Sequence, residues 1–86
     1  MYLHLGQNVV VLQRSVIGIF DLDNTTQSHI TRRYLNLAEA AGCVVNVSEE
    51  LPKSFVICQE DGKTTVYLSQ LSSATLLKRS ETVVFE

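Results

Sequence analysis

Residues 54–68 read SFVICQEDGKTTVYL: two β-rich runs, Ser54-Phe55-Val56-Ile57-Cys58 and Thr64-Thr65-Val66-Tyr67-Leu68, around Glu60-Asp61-Gly62-Lys63. A tight hairpin turn needs positive φ at its central residues, which Asp tolerates and Gly adopts freely, so Asp61-Gly62 predicts an antiparallel pair. Pro52 lacks an amide hydrogen and cannot lie within a central ladder, so the hairpin starts after it.

Upstream, the acidic loop Ser48-Glu49-Glu50-Leu51 follows a strand over residues 43–47. Gly42 supplies a left-handed helix stop. The helix before it begins by about Ser28, and Ile30, Tyr34, Leu37, Ala38 and Ala41 recur at the spacing of one apolar stripe, the predicted buried face. Three short runs, residues 3–5, 9–12 and 16–20, read as strands that pair with their neighbours across brief breaks. At the other end, Ser72 or Ser73 caps a short helix of about two turns through Arg79. Residues 81–86 form a tail with the look of a strand. The expected fold is α+β: a small, mainly antiparallel sheet with one principal helix and a short C-terminal helix, in a single domain over residues 1–86.

A chain of 86 residues makes one domain and hides only roughly 63% of its unfolded surface on folding. Burial between subunits is the natural supplement, and a homo-oligomer is expected. The only cysteines, Cys43 and Cys58, sit in apolar runs and read as small buried hydrophobes. No CxxC pair exists to suggest zinc. There is no basic leader and no apolar run near 18 residues, so a cytoplasmic protein without a membrane segment is expected. The net charge of −2 carries no polyanion-binding signature in itself.

The most enzyme-like string is VIGIFDLDNT, residues 16–25, which resembles the first motif of haloacid-dehalogenase-type phosphatases. There Asp21 would be the nucleophile and Asp23 the acid and base. That chemistry also needs Mg²⁺ and a further acidic pair. None of Glu39, Glu49, Glu50, Glu60, Asp61, Glu81 and Glu86 follows an apolar strand in the completing pattern, and the parent doubly wound fold needs several crossovers. A strand-to-helix turn is the preferred reading. No enzyme activity, cofactor or metal is expected, with a Mg²⁺-dependent phosphatase the least favoured alternative.

On a wheel of about 100° per residue with Ile30 at zero, Arg32 falls near ~200°, Asn36 near ~240°, His29 near ~260° and Arg33 near ~300°. These four share the predicted outer face. No carboxylate lies three or four residues from either arginine. Arg suits bidentate phosphate recognition and Asn36 suits base edges or backbone, so the face is a candidate DNA contact, with Arg14 and Lys53 as auxiliaries. One subunit would hold few phosphates, and repetition by oligomerisation raises both avidity and salt dependence.

Several long strings in order, Leu3-His4-Leu5-Gly6, residues 16–26, residues 45–55 and residues 69–79, are similar to the RemA/RemB family of small bacterial regulators. The resemblance spans residues 1 to about 80. It implies a transcriptional regulator of biofilm extracellular matrix genes that binds double-stranded DNA and assembles into higher oligomers. One departure stands out: RemA-type sequences carry a basic cluster after the post-helix strand, where this chain has Glu49-Glu50-Leu51-Pro52 and only Lys53 is basic. The alternative expectation is a regulatory protein–protein interaction module without DNA affinity, using that acidic loop and the apolar tail.

Overall fold

The computed structural model describes residues 1–22 and 29–84. The hairpin is present as expected: β5 (Ser54–Glu60) and β6 (Lys63–Ser69) pair antiparallel from Ser54↔Ser69 to Glu60↔Lys63. Asp61 and Gly62 take φ of 55° and 78°, the mirror-image turn that matches strand twist. Along β5, Phe55 and Ile57 face one side of the sheet while Val56 and Cys58 face the other.

Before the hairpin come β1 (Tyr2–Gly6), β2 (Val9–Leu12), a 3-10 turn (Gln13–Ser15), β3 (Val16–Asp21), α1 (His29–Ala40) and β4 (Val44–Asn46). After it comes α2 (Ser73–Val84). The strands form a two-stranded sheet, β1-β2, and a four-stranded sheet in the order β3-β5-β6-β4. Since β4 is parallel to β6 while β5 is antiparallel to both β3 and β6, the two edge strands point the same way. A parallel connection needs a crossover, and the segment carrying α1 provides it.

The four-stranded sheet is covered on both faces. On one, the β1-β2 hairpin and α2 enclose Leu3, Leu5, Val11, Val47, Val56, Cys58 and Leu76. On the other, Leu35 and Ala38 of α1 pack over Leu22, Phe55 and Val66. Phe20 stacks on Phe55 with ring centroids 4.9 Å apart. Three long-range hydrogen bonds tie the first hairpin and the turn that follows it to the C-terminal part of the chain. Ser69 Oγ donates to the Leu5 carbonyl at 2.6 Å, Gln13 Nε2 to the Ser80 carbonyl at 3.1 Å, and Arg79 Nη1 to the His4 carbonyl at 3.2 Å.

Four expectations are corrected. The strand over residues 16–20 does not pair with β2: Gln13–Ser15 form a 3-10 turn with Ser15 Oγ bonded to the Leu12 carbonyl, which sends β3 into the other sheet. The C-terminal helix is not short, since α1 and α2 are both 12 residues long. Its backbone continues through Val84, so residues 81–84 of the expected strand-like tail are helical, propagating from a start at which the Thr75 amide donates to Ser72 Oγ at 3.1 Å. Cys43 is half-buried rather than buried, with Cys58 alone in the core.

The chain exposes 5887 Å², against ~5,100 Å² for a typical monomer of this mass. Among the described residues, no helix is long and apolar enough to cross a membrane.

Candidate nucleic-acid interface

The end of α1 is built as Gly42 predicts. With Gly42 at φ 75°, the Cys43 amide donates to the Ala38 carbonyl at 2.9 Å and the Gly42 amide to the Glu39 carbonyl at 3.0 Å. This double closure satisfies helix-end carbonyls and leads directly into β4.

Which side of α1 faces the sheet differs from the expected stripe. Thr31, Leu35 and Ala38 are half-buried, whereas Ile30, Tyr34 and Leu37 are 82%, 39% and 61% exposed and Ala41 is exposed. Only Ala38 belongs to both sets. The helix is turned by about one residue, roughly 100°, from the predicted orientation. The cause lies in the sheet: Phe55, Val66 and half-buried Leu68 offer a surface onto which Leu35 docks, so the longer apolar stripe is left beside the contact rather than in it.

His29, Arg32, Arg33 and Asn36 are all exposed. The rotation leaves His29, Arg33 and Asn36 farthest from the sheet and moves Arg32 to one flank, together with Glu39. That carboxylate lies three residues beyond Asn36, a helical neighbour which counting from the arginines alone overlooks.

The auxiliary cations are not gathered into one cluster. Arg14 is exposed in the turn before β3, while exposed Lys53 precedes β5, its amide donating to the Ser69 carbonyl at 2.8 Å. Because Asp21 pairs with Ser54, these cations occupy opposite ends of the β3-β5 pair, about 20 Å apart at 3.3 Å per residue. Lys53 is the nearer to the helix face: its neighbour Pro52 lines a groove of about 380 Å³ with Asn36, Glu39, Leu22, Leu35, Val44, Leu51 and Leu68. The sequence reading missed this groove, whose one visible sign is Leu51, an apolar residue in an acidic loop and 87% exposed.

Asp21 closes β3, and Asp23 lies outside the described residues, as do Asn24, Thr25 and Thr26. Among the described residues no three His, Cys, Asp or Glu side chains gather as a metal site. On the opposite face of the sheet, burial pushes the Cys58 thiol above its ordinary 9.0, Glu60 adding to the rise and a hydrogen bond with Ser15 opposing it. Tyr67 is held above 10.0 by burial first, then by Cys58 and Glu60. A thiol held protonated is a poor nucleophile.

Comparison with known proteins gives a consistent result. A family model described as RemA-like, extracellular matrix regulatory protein A-like, matches residues 2–79. The chain is 37% identical over 81 residues to extracellular matrix regulatory protein B of Bacillus subtilis (strain 168), covering 94% of this chain and 91% of that protein.

Proposed function

The chain belongs to the RemA-like family, and from that premise we propose that it is a regulator of extracellular matrix genes that acts by binding double-stranded DNA as a homo-oligomer. The observation that carries the reading is the outer side of α1. His29, Arg33 and Asn36 are exposed away from the sheet, with exposed Arg32 on the flank. Guanidinium groups contact phosphates and the amide reaches backbone or base edges, giving strong salt dependence and limited base reading. Lys53 adds a phosphate contact near the same side. Arg14, at the other end of the β3-β5 pair, engages only DNA that extends across the sheet. This reading implies a cytoplasmic protein, a transcription factor rather than an enzyme, with no cofactor.

A subunit of net charge −2 does not hold DNA through a few cations alone. Repetition of the face in an assembly is therefore part of the proposal. An anisotropy titration with duplex DNA tests it. Arg32→Ala with Arg33→Ala weakens binding and flattens the salt dependence, and unchanged affinity overturns the reading.

A second reading, a protein-interaction module without DNA affinity, is favoured by the groove beside Leu51 and by Glu49 and Glu50 in the same loop. It predicts salt-insensitive co-purification with another regulator and no DNA shift at low salt.

A further inference from the structure

A cavity of about 660 Å³ opens on the face of the four-stranded sheet opposite α1, along the edge of β1 that β2 leaves unpaired. Tyr2, His4 and Gly6 alternate along β1 at its wall, Gln70 and Leu71 follow β6, and Arg79 reaches in from α2. This edge is not open to an added strand, because the His4 and Leu5 carbonyls already accept from Arg79 and Ser69. Its size is that of a small-molecule site.

Two side chains in the cavity have hydrogen-bonding capacity to spare. Arg79 donates Nη1 to the His4 carbonyl at 3.2 Å, which fixes the guanidinium against β1, and no carboxylate pairs with it among the described residues. Its other N–H groups remain for an anion. Gln70 is the more telling. Its Oε1 is buried without a partner, and among the described residues Nε2 makes no hydrogen bond either. The amide rests on Gly6, where a Cβ would stand 2.8 Å from Oε1. A buried carbonyl left unbonded is costly, so the amide gains by turning off Gly6 into the cavity once a ligand offers it partners.

We propose that this cavity binds a free adenine nucleotide, with its phosphate on Arg79 and its base on the Gln70 amide. The planar guanidinium matches phosphate oxygens. A glutamine amide presents one donor beside one acceptor, the complement of adenine N6 and N7, whereas guanine presents two acceptors at N7 and O6. The spacing agrees. Arg79 is held at His4 and Gln70 at Gly6, two residues apart on one strand, or roughly 6.8 Å at about 3.4 Å per residue, a gap that a ribose bridges between base and phosphate. A small carboxylic acid would use Arg79 and leave the Gln70 amide unpaired. The site is independent of the DNA-binding reading, since Arg32 and Arg33 lie on α1, across the sheet.

Calorimetric titration of the full chain with AMP, GMP, inorganic phosphate and a single-stranded oligo-dA tests the assignment. One AMP binds per chain, about ten-fold or more tighter than GMP, and phosphate alone binds weakly. Gln70→Leu removes the amide and little volume; it brings AMP down to the level of GMP and leaves phosphate unchanged. Arg79→Gln weakens AMP and phosphate together, with folding of both variants checked by circular dichroism and urea denaturation. A measurement on the wild type needs no variant: in nitrogen–proton correlation spectra, AMP shifts the backbone amides of Gly6, Gln70 and Arg79 and leaves those of Arg32 and Arg33 in place.

Absence of saturable AMP binding at millimolar ligand overturns the proposal. So does GMP or phosphate binding as tightly as AMP, a Gln70→Leu variant that binds AMP like the wild type, or AMP-induced shifts gathered on α1. Oligo-dA that outcompetes AMP and shifts the same three amides assigns the cavity to a nucleic-acid strand and overturns it too. Duplex DNA affinity that falls in Arg32→Ala with Arg33→Ala while AMP affinity holds separates the two sites.

Discussion

The Ser69 hydroxyl donates to the Leu5 carbonyl at 2.6 Å across 64 residues of sequence, and both residues are 0% exposed. The same oxygen accepts from the Leu71 amide at 3.0 Å. One small side chain therefore satisfies a buried carbonyl of the first sheet and an amide beyond the second. Ser69→Ala leaves these without the hydroxyl and is expected to cost about 1–3 kcal/mol, read as a lower urea midpoint at unchanged slope.

The orientation of α1 separates two substitutions that a helical wheel drawn from sequence ranks the other way. Leu35 is in the packed face, whereas Leu37 is mostly exposed. Leu35→Ala is expected to lower subunit stability by about 1–3 kcal/mol at every protein concentration. Leu37→Ala removes little buried surface from the subunit and is expected to change its stability by less than about 0.5 kcal/mol, read as a nearly unchanged urea midpoint.

The reason this helix was half legible is visible in its residues. Existence and end were plain, because a 3.6-residue apolar period runs into Gly42. Its facing was not, since α1 holds more apolar residues than one contact can bury and the sequence does not say which neighbour receives them. The hairpin was legible in full, because Asp61-Gly62 and the runs beside it are local. The parting of β2 from β3 was hidden because Gln13-Arg14-Ser15 suits either a turn between partners or a 3-10 exit. Val83 and Val84 are β-branched and favour a strand in isolation, a weak preference that a helix already capped at Ser72 overrides. Of the candidate site, the exposure of His29, Arg32, Arg33 and Asn36 was legible from spacing, but the place of Arg32 on a flank with Glu39 was not, because it depends on the facing of the helix. The groove was not, because it is assembled from five separate segments of the chain.

The six candidate DNA contacts divide by position. On a short duplex, Arg14→Ala is expected to change affinity less than two-fold, because Arg14 sits at the far end of the β3-β5 pair from Lys53. Lys53→Ala weakens binding several-fold and lowers the slope of log affinity against log salt by about 0.9, the loss of one phosphate contact. Titrations across 50 to 200 mM salt, as order-of-magnitude limits of the useful range, compare the two variants.

Stability should also fall in alkali, with a definite sign. Cys58 and Tyr67 hold their protons more tightly when folded than when unfolded, so above about pH 9 the unfolded chain binds fewer protons and gains. The stabilisation is complete below that pH and is lost as the pH rises through the unfolded and then the folded values. Cys58→Ala removes the earlier part, moving the onset of the decline toward 10, where Tyr67 begins to contribute. Urea midpoints measured from neutral pH into alkali give the onset directly, whatever the substitution costs in packing at neutral pH.

Two hydrogen bonds join the N-terminal part of the molecule to the middle of α2: Arg79 donates to the His4 carbonyl in β1, and Gln13, in the 3-10 turn after β2, donates to the Ser80 carbonyl. Truncating the protein ahead of Arg79 would therefore do more than trim an appendage: it would unlatch residues at the opposite terminus and open the layer over Leu3 and Leu5. An engineer adding a tag or fusing a reporter meets one shared corner of the fold from either direction.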